Sequence, residues 1–162
     1  MASALVVKES EIKNTLKSVV TLKNEDCSMD VVALWDTGAT NSCIAMDVVA
    51  GLSLISTGKI PMSTPSGSRI ADTYLLDVVL PKDVHIDDLM VCDSEIGDQG
   101  IGMLIGMDII TKGDFAVSNY DGKTVFTFRV PSIALTDYVA QIRKQNIIGE
   151  RHGKGKRKRK KT

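Results

Sequence analysis

The amino-acid sequence predicts a mostly β protein that forms a single domain. Short apolar runs rich in β-branched residues recur along the chain, and turn-forming residues separate them, as in strands joined by hairpins. With 162 residues, of which 43% are hydrophobic, the chain can bury a core without disulfides or metal ions. Helical periodicity is confined to short segments and to one longer segment near the C-terminal end.

The predicted elements follow from local patterns along the chain. Strands are predicted at residues 4–8, 18–23, 29–35, 69–80, 89–93, 103–105, 115–118 and 123–130. A short helix is predicted over residues 43–50, where apolar residues recur at helical spacing before Gly51 ends it. Asp108 is expected in the first turn of a second short helix, because carboxylates are favoured at helix N-termini.

Turn signals predict two hairpins and the start of the last helix. Residues 52–63 should be extended, and the turn at residues 64–68 would lead into the strand at 69–80. The Asp-Gly pair at residues 121–122 is typical of the tip of a tight hairpin. Pro131 and Ser132 are expected to open a helix over residues 133–144, which has a partly apolar face.

Composition excludes several classes of protein. No apolar run approaches the ~18 residues that a membrane span requires. The N-terminus lacks a basic start followed by a long apolar stretch, so no secretory signal is expected and the protein should be cytoplasmic. Cys27, Cys43 and Cys92 are widely spaced, with only His85 and His152 to join them, which predicts free thiols rather than a disulfide framework or a zinc site. No metal or cofactor is predicted.

The charge is distributed unevenly along the chain. All 20 acidic residues lie in residues 1–150, whereas residues 151–162 carry 8 of the 20 basic residues and no acid. We therefore predict a folded domain over residues 1–150 and a disordered basic tail over residues 151–162. Residues 151–161 could bind nucleic acid or an acidic partner through salt-sensitive contacts, or could serve only as a solubilising tail.

The stretch at residues 31–38 has the features of a functional site. The apolar run at residues 31–35 ends at Asp36, which is followed at once by Thr37 and Gly38. Asp-Thr-Gly also occurs in surface turns, but a surface turn does not need an apolar strand before it. A strand that delivers a carboxylate into a tight turn aims the acid, and the glycine lets another backbone approach it closely.

These residues carry a resemblance to a known family. Asp36-Thr37-Gly38-Ala39 after an apolar strand resembles the active-site motif of the retropepsin-like aspartic proteases, and residues 102–110 resemble the second signature of that family. The hairpin about thirty residues beyond Asp36 lies where the family places its flap. The resemblance covers roughly residues 18–130 and implies a single-lobed, closed β-barrel-like fold with short helices and a C-terminal helix.

The resemblance implies an aspartic endopeptidase that acts on polypeptides. Hydrolysis by carboxylates requires two of them sharing one proton, so that one activates water while the other polarises the scissile carbonyl. The chain contains a single Asp-Thr-Gly, and the second carboxylate would come from a second copy in a homodimer. The N-terminal strand and the helix at residues 133–144 are both candidates for the dimer interface.

Roles for the site residues follow from the same resemblance. Asp36 would be catalytic, Thr37 would form a hydrogen bond across the twofold axis, and Gly38 would leave room for the substrate backbone. The residues expected to bind substrate are Leu34, Ala39, Thr40, Ser66, Gly67 and Leu104. For Leu34 and Leu104, packing in the core is an equally good interpretation. Because Ala39 has no hydroxyl to stabilise the ionised acid, activity is expected nearer pH 5–7 than at strongly acid pH.

Departures from the family pattern leave alternatives open. Retroviral members commonly have an acid at the position of Thr40 and an arginine at that of Met107, and Trp35 is bulkier than the usual aliphatic residue. These differences favour a cellular or bacterial branch. The alternative to a general protease is a non-catalytic dimeric peptide-binding or scaffold module with the basic tail as its working part. A protease restricted to self-processing or to one partner is a third.

Overall fold

Strands make up most of the regular structure. The computed structural model describes residues 1–25, 27–64 and 67–158. In chain order the elements are β1 (Ser3–Lys8), β2 (Leu16–Asn24), β3 (Cys27–Trp35), β4 (Cys43–Ala45), α1 (Met46–Gly51), β5 (Gly58–Thr64), β6 (Gly67–Leu80), β7 (Val84–Ser94), a 3₁₀ turn (Gly97–Gln99), β8 (Met103–Ile105), α2 (Met107–Ile110), β9 (Asp114–Tyr120), β10 (Lys123–Val130) and α3 (Tyr138–Lys158).

Six of these strands close into a barrel. They follow one another in the order β2-β3-β8-β4-β7-β6, and an antiparallel pairing between β2 and β6 completes the ring. The β5 strand lies outside the ring and pairs with β6 in a long hairpin. A separate sheet of order β1-β10-β9 packs beside the barrel. The mostly β, closed-barrel fold expected from the sequence is therefore confirmed.

The shortest strands have the most unusual placement. The β8 strand lies between β3, which it pairs with in parallel, and β4, which it pairs with antiparallel. The loop at residues 36–42 joins β3 to β4 and passes around the end of β8. The end of β3, which leads into Asp36, is consequently hydrogen-bonded to a strand that lies almost seventy residues further along the chain.

A single core fills the barrel and extends under the second sheet. Burying each large aliphatic side chain stabilises the fold by about 1.5–3 kcal/mol relative to leaving it in water. The alternation of inward apolar and outward polar residues along β2 and β6 matches the period of a strand with one buried face. Side chains that are at most 1% exposed include Val20, Leu22, Ala33, Ile44, Val78, Leu80, Met103 and Ile105.

Two predicted elements differ from the observed ones near the site. The helix predicted over residues 43–50 begins only at Met46, because residues 43–45 form β4 and pair with β7 and β8. The extended segment predicted over residues 52–63 becomes a strand only at Gly58. Strand pairing decides the structure in both cases, with the distant β7 and β8 for residues 43–45 and with the neighbouring β6 for β5.

The last helix is displaced toward the C-terminus. It was predicted over residues 133–144 and is observed over Tyr138–Lys158, so that prediction was wrong about where the helix starts and ends. The Asp137 carboxylate accepts a hydrogen bond from the Ala140 N–H (3.0 Å), as a helix N-cap does, and this signal was not recognised in the sequence.

The helical backbone of α3 extends into residues 151–158, which were predicted to belong to a disordered tail, and residues 159–162 lie outside the described part. The division into a domain at residues 1–150 and a tail stays a prediction.

None of the helices in the described part of the chain combines the length and the apolar character that crossing a membrane requires.

Asp114 connects both ends of the β9–β10 hairpin to the segment that follows it. Its carboxylate accepts hydrogen bonds from the Ser132 hydroxyl, from the Ile133 N–H (3.0 Å) and from Arg129 Nε (2.8 Å). These three groups lower the pKa of Asp114 from 3.8 to about 2. Ser132 has the largest effect, the Ile133 N–H the second and Arg129 the third.

Acid should weaken the fold partly through this carboxylate. Because the pKa of Asp114 is lower in the folded than in the unfolded chain, its stabilisation is complete above pH 3.8 and is lost as the pH falls toward about 2. We expect Asp114→Asn to lower the free energy of unfolding at pH 7 and to flatten its dependence on pH between 2 and 4. Urea unfolding across a pH series measures both effects. Exposed Asp98, which accepts no side-chain hydrogen bond in the described structure, provides the control Asp98→Asn. An equally steep loss of stability in Asp114→Asn and in the unmodified chain would contradict the assignment.

Candidate active site

Asp36 lies directly after β3, which pairs with β2 on one side and with β8 on the other. Its N–H donates to the carbonyl of Ile105 in β8 (2.9 Å), which continues the parallel pairing of β3 and β8 by one residue. The side chain is half-buried and borders a cleft. The strand end therefore sets where the carboxylate lies.

Trp35, the last residue of β3, anchors the end of the strand by packing in the core. Its side chain is 5% exposed and stacks on the ring of Phe115, with centroids 5.3 Å apart and planes within 6°. Phe126 and Phe128 pack against it at larger ring angles. The indole N–H donates to the Ser18 hydroxyl (3.0 Å), so the buried polar group is satisfied. The bulky residue noted in the sequence thus belongs to the core, where it makes the approach to Asp36 rigid.

The turn after Asp36 holds one carboxylate oxygen in place. The Gly38 N–H donates to Asp36 Oδ1 (2.8 Å), and the Ala39 N–H donates to the Asp36 carbonyl (3.3 Å). A Cβ on residue 38 would lie 3.1 Å from Asp36 Oδ1, which is tighter than most contacts that a Cβ atom makes. Glycine at this position therefore lets the backbone come close enough to orient the acid.

A buried network locks the turn onto β8 and α2. The Ser42 N–H donates to Asp108 Oδ2 (2.8 Å), and its hydroxyl donates to Asp108 Oδ1 (2.6 Å). The same hydroxyl accepts the Gly106 N–H (3.0 Å). A Cβ at Gly106 would lie 2.7 Å from the backbone carbon of Asn41, so this approach requires glycine. Asp108 lies in the first turn of α2 as predicted, but its partner Ser42 was missed.

Asp36 opens into a cleft of about 650 Å³. Three parts of the chain line it: Asp36 with residues 38–41 of the loop that follows, residues 60–63 of β5, and the group Cys43, Cys92, Ser94 and Leu104. Asp36 is the only acidic residue among these lining residues. Across the described ranges, no three His, Cys, Asp or Glu side chains lie close enough together to hold a metal ion.

The predicted site residues are only partly brought together. The cleft is lined by Asp36, Gly38, Ala39, Thr40 and Leu104. Leu34 is half-buried in β3 opposite Leu104 and is not among the lining residues, as its core interpretation allowed. Thr37 is exposed and also lies outside the lining set.

The flap tip is described only in part. Gly67 begins β6 with a φ of 131°, a conformation that favours glycine, and does not line the cleft. Ser66 lies outside the described residues.

The wall of the cleft contains residues that the sequence did not single out. Ile60, Pro61, Met62 and Ser63 come from β5, which pairs only with β6 among the described strands. The prediction of an extended segment at residues 52–63 was the one signal that could have identified them. Cys43 and Cys92 were interpreted only as free thiols, and both border the cleft.

Ion pairs hold the β5–β6 hairpin against β7 and join its two strands. Arg69 of β6 contacts Asp93 of β7 (Nη1 to Oδ2, 2.9 Å), and Asp93 Oδ1 also accepts the Asp72 N–H (2.7 Å). On the outer side, Lys59 of β5 pairs with Asp72 (2.8 Å). Asp93, the residue after Cys92 in β7, therefore holds β6 at Asp72 and again at Arg69, two residues after β6 begins at the hairpin turn.

The sequence matches no known family description and no curated protein. The structure is similar to a retropepsin-like aspartic protease from Rickettsia conorii, over 80% of this chain and 95% of that one, with 14% identity and a TM-score of 0.49. It is also similar to EIAV protease complexed with the inhibitor HBY-793, over 61% and 88% of the two chains, with 19% identity and a TM-score of 0.45. The retroviral protease-like domain of Ddi1 from Leishmania major is similar over 78% and 99%, with 16% identity and a TM-score of 0.45.

These three solved structures are retropepsin-like proteases or protease-like domains, the family that the two motifs of this chain resemble.

Removing the Ser42 hydroxyl should destabilise the protein. In Ser42→Ala the buried Gly106 N–H loses its acceptor and Asp108 loses one donor, so we expect the free energy of unfolding to fall by about 1–3 kcal/mol. Ser28→Ala is the matched control, because Ser28 is exposed in β3 and its hydroxyl makes no hydrogen bond in the described structure. Urea unfolding followed by circular dichroism measures both. Equal stability of the two variants would contradict a structural role for the network.

Proposed function

We propose that the protein is an aspartic endopeptidase in which two copies of the chain each contribute one Asp36 to a shared site. The observation that carries the proposal is a carboxylate held at the end of a rigid strand, facing a cleft that an extended peptide could occupy. One copy lines its cleft with a single acid, whereas carboxylate-catalysed peptide hydrolysis needs two. A second copy is the source of the other acid, with the two turns meeting at a twofold axis.

The two carboxylates share one proton and take complementary roles. The ionised one removes a proton from a water molecule, which then attacks the scissile carbonyl carbon. The protonated one donates a hydrogen bond to the carbonyl oxygen and stabilises the charge that develops there. Collapse of the tetrahedral intermediate breaks the C–N bond as the leaving nitrogen takes up a proton. The Gly38 N–H contributes by fixing the orientation of each carboxylate.

Thr37 is assigned to the dimer contact. It is exposed, and its hydroxyl has no hydrogen-bond partner within the described residues of one copy. That placement is compatible with the hydrogen bond across the axis that the resemblance implies. Thr37 is therefore proposed as a residue that positions the acids and not as one that touches substrate.

The substrate is proposed to be a polypeptide bound in an extended conformation. The β5 edge that faces the cleft has no strand partner among the described residues, so a peptide could add there as a further strand. Ile60, Met62 and Leu104 offer apolar surface to its side chains. Ala39 and Thr40 lie on the floor beside Asp36.

A non-catalytic peptide-binding module is the second candidate. It is favoured by one observation: a single copy has a binding cleft but only one acid, so a monomer would bind peptide without cleaving it. Binding of nucleic acid or an acidic partner by residues 151–161 stays a prediction, because the side chains of the tail lie outside the described residues.

Asp36→Asn separates the two candidates. The asparagine can still accept the Gly38 N–H, so the fold should be kept, while hydrolysis of an unstructured protein should fall by at least about 10²-fold. Asp87→Asn is the control, because Asp87 is exposed on β7 and far from the cleft lining. Cleavage is followed on gels, and peptide binding by calorimetry. Peptide binding by both proteins with cleavage by neither would favour the binding module.

Mixing the two chains tests the shared site. When Asp36→Asn is added in fourfold excess over a constant amount of the unmodified chain, random pairing should lower the cleavage rate about fivefold. An enzyme that works as a monomer would keep its full rate.

Ala39→Ser tests the pH dependence. A hydroxyl next to the dyad can donate to an ionised carboxylate and stabilise that form, so the acid limb of the pH–rate profile should move to lower pH. The dyad titrates as a unit, and the profile therefore reports the pair. A profile of kcat/KM that stays in place would show that residue 39 does not reach the acids.

A further inference from the structure

Two thiols from distant parts of the chain face each other on the wall of the cleft. Cys43 of β4 and Cys92 of β7 are directly opposite in the parallel pairing of these strands, and their sulfurs lie 3.6 Å apart. Cys92 is 2% exposed and Cys43 is half-buried, and both border the cleft that contains Asp36. The proposed catalytic mechanism has no use for either thiol.

The geometry allows these sulfurs to bond. Neighbouring strands lie about 4.8 Å apart, which falls within the range of about 4.4–6.8 Å between Cα atoms that a disulfide spans. The sulfurs would have to approach by roughly 1.5 Å to reach the bond length of about 2.05 Å, which rotation of the side chains can supply. Their other polar contacts are weak ones at 3.7 Å, from Cys43 to the Asn41 carbonyl and from Cys92 to the Ser42 carbonyl.

The two thiols also differ in acidity. The hydrogen bond between the two sulfurs is the main cause of the raised pKa of Cys43, and burial is the second cause. The same hydrogen bond lowers the pKa of Cys92. The hydrogen bond between the sulfurs therefore favours a single thiolate in the pair, and the thiolate is the form that reacts with oxidants. Cys27 provides a contrast, because it is exposed at the start of β3, outside the lining of the cleft.

We propose that Cys43 and Cys92 form a reversible dithiol–disulfide site, oxidised by hydrogen peroxide and reduced by a thiol, that controls the cleft next to Asp36. The effect on cleavage rests on the proposed function, whereas formation of the disulfide does not.

The oxidation balances with peroxide as the only co-reactant. The thiolate attacks one peroxide oxygen, an S–O bond forms, the O–O bond breaks, and the hydroxide that leaves takes up a proton to become water. The second sulfur then attacks the sulfenic acid, an S–S bond forms, the S–O bond breaks, and a second water leaves with the remaining thiol proton. Both sulfurs are oxidised by one electron each and both peroxide oxygens are reduced. A thiol reductant reverses the step by exchange.

The disulfide would change the lining of the cleft close to Asp36. Cys43 is paired with Leu104 of β8, and β4 follows directly from the loop that begins at Asp36. Displacements of about 1 Å near reacting groups can cost as much as 10²-fold in rate. Because the sulfurs move by a similar distance on the cleft wall, we expect the oxidised protein to cleave peptide at least about tenfold more slowly than the reduced one.

The test uses the full chain with Cys27→Ser, so that Cys43 and Cys92 are its only thiols. After treatment with hydrogen peroxide, intact mass should fall by two hydrogen atoms, and peptide mapping should show a bond between the peptides that contain Cys43 and Cys92. Dithiothreitol should restore both the mass and the cleavage rate. Two control variants, with Cys43→Ser or Cys92→Ser added, should form no disulfide within the chain.

Two results would overturn the proposal in different ways. If both thiols still react with a thiol reagent after a peroxide treatment that oxidises Cys27 in the unmodified chain, there is no dithiol site. If the disulfide forms while the cleavage rate is unchanged, its control of the cleft is wrong. A disulfide in a protein that cleaves nothing in either state would keep the redox site and overturn the proposed function.

Discussion

The structure depends above all on the insertion of β8 between β3 and β4. Backbone pairing places β8 there, and the hydrogen bonds among Ser42, Asp108 and Gly106 hold the connecting loop around its end. If this crossing opened, Asp36 would lose the Ile105 carbonyl that fixes its backbone, and α2 would lose its attachment to the loop. The absence of a side chain at Gly106 is what allows the two backbones to cross at this distance.

The cleft combines a rigid floor with a wall formed by a hairpin. The floor consists of Asp36 and its turn, supported by Trp35 and by β8. The wall is the β5–β6 hairpin, which the Arg69–Asp93 pair attaches to β7 close to the hairpin turn. The thiol pair lies where the two parts meet.

Local signals in the sequence predicted the parts of this fold that depend on neighbouring residues. The strand leading to Asp36, the hairpin with Gly122 at its tip and the short helix containing Asp108 were all predicted from a few adjacent residues. The contacts between distant segments could not be predicted in this way. Ser42 and Asp108 are 66 residues apart, and Cys43 and Cys92 are 49 apart, so no local pattern links them. The start of α3 was missed for a related reason, since Ser132 hydrogen-bonds to Asp114 and Asp137 caps the helix instead.

Trp35 has a consequence that reaches beyond packing. It is the only tryptophan in the chain, and it lies one residue before Asp36 in an aromatic cluster shielded from water. The tryptophan fluorescence of the protein therefore originates from one indole, next to the residue that carries the carboxylate. Its emission is a native optical reporter of whether the floor of the cleft is intact, with no label attached.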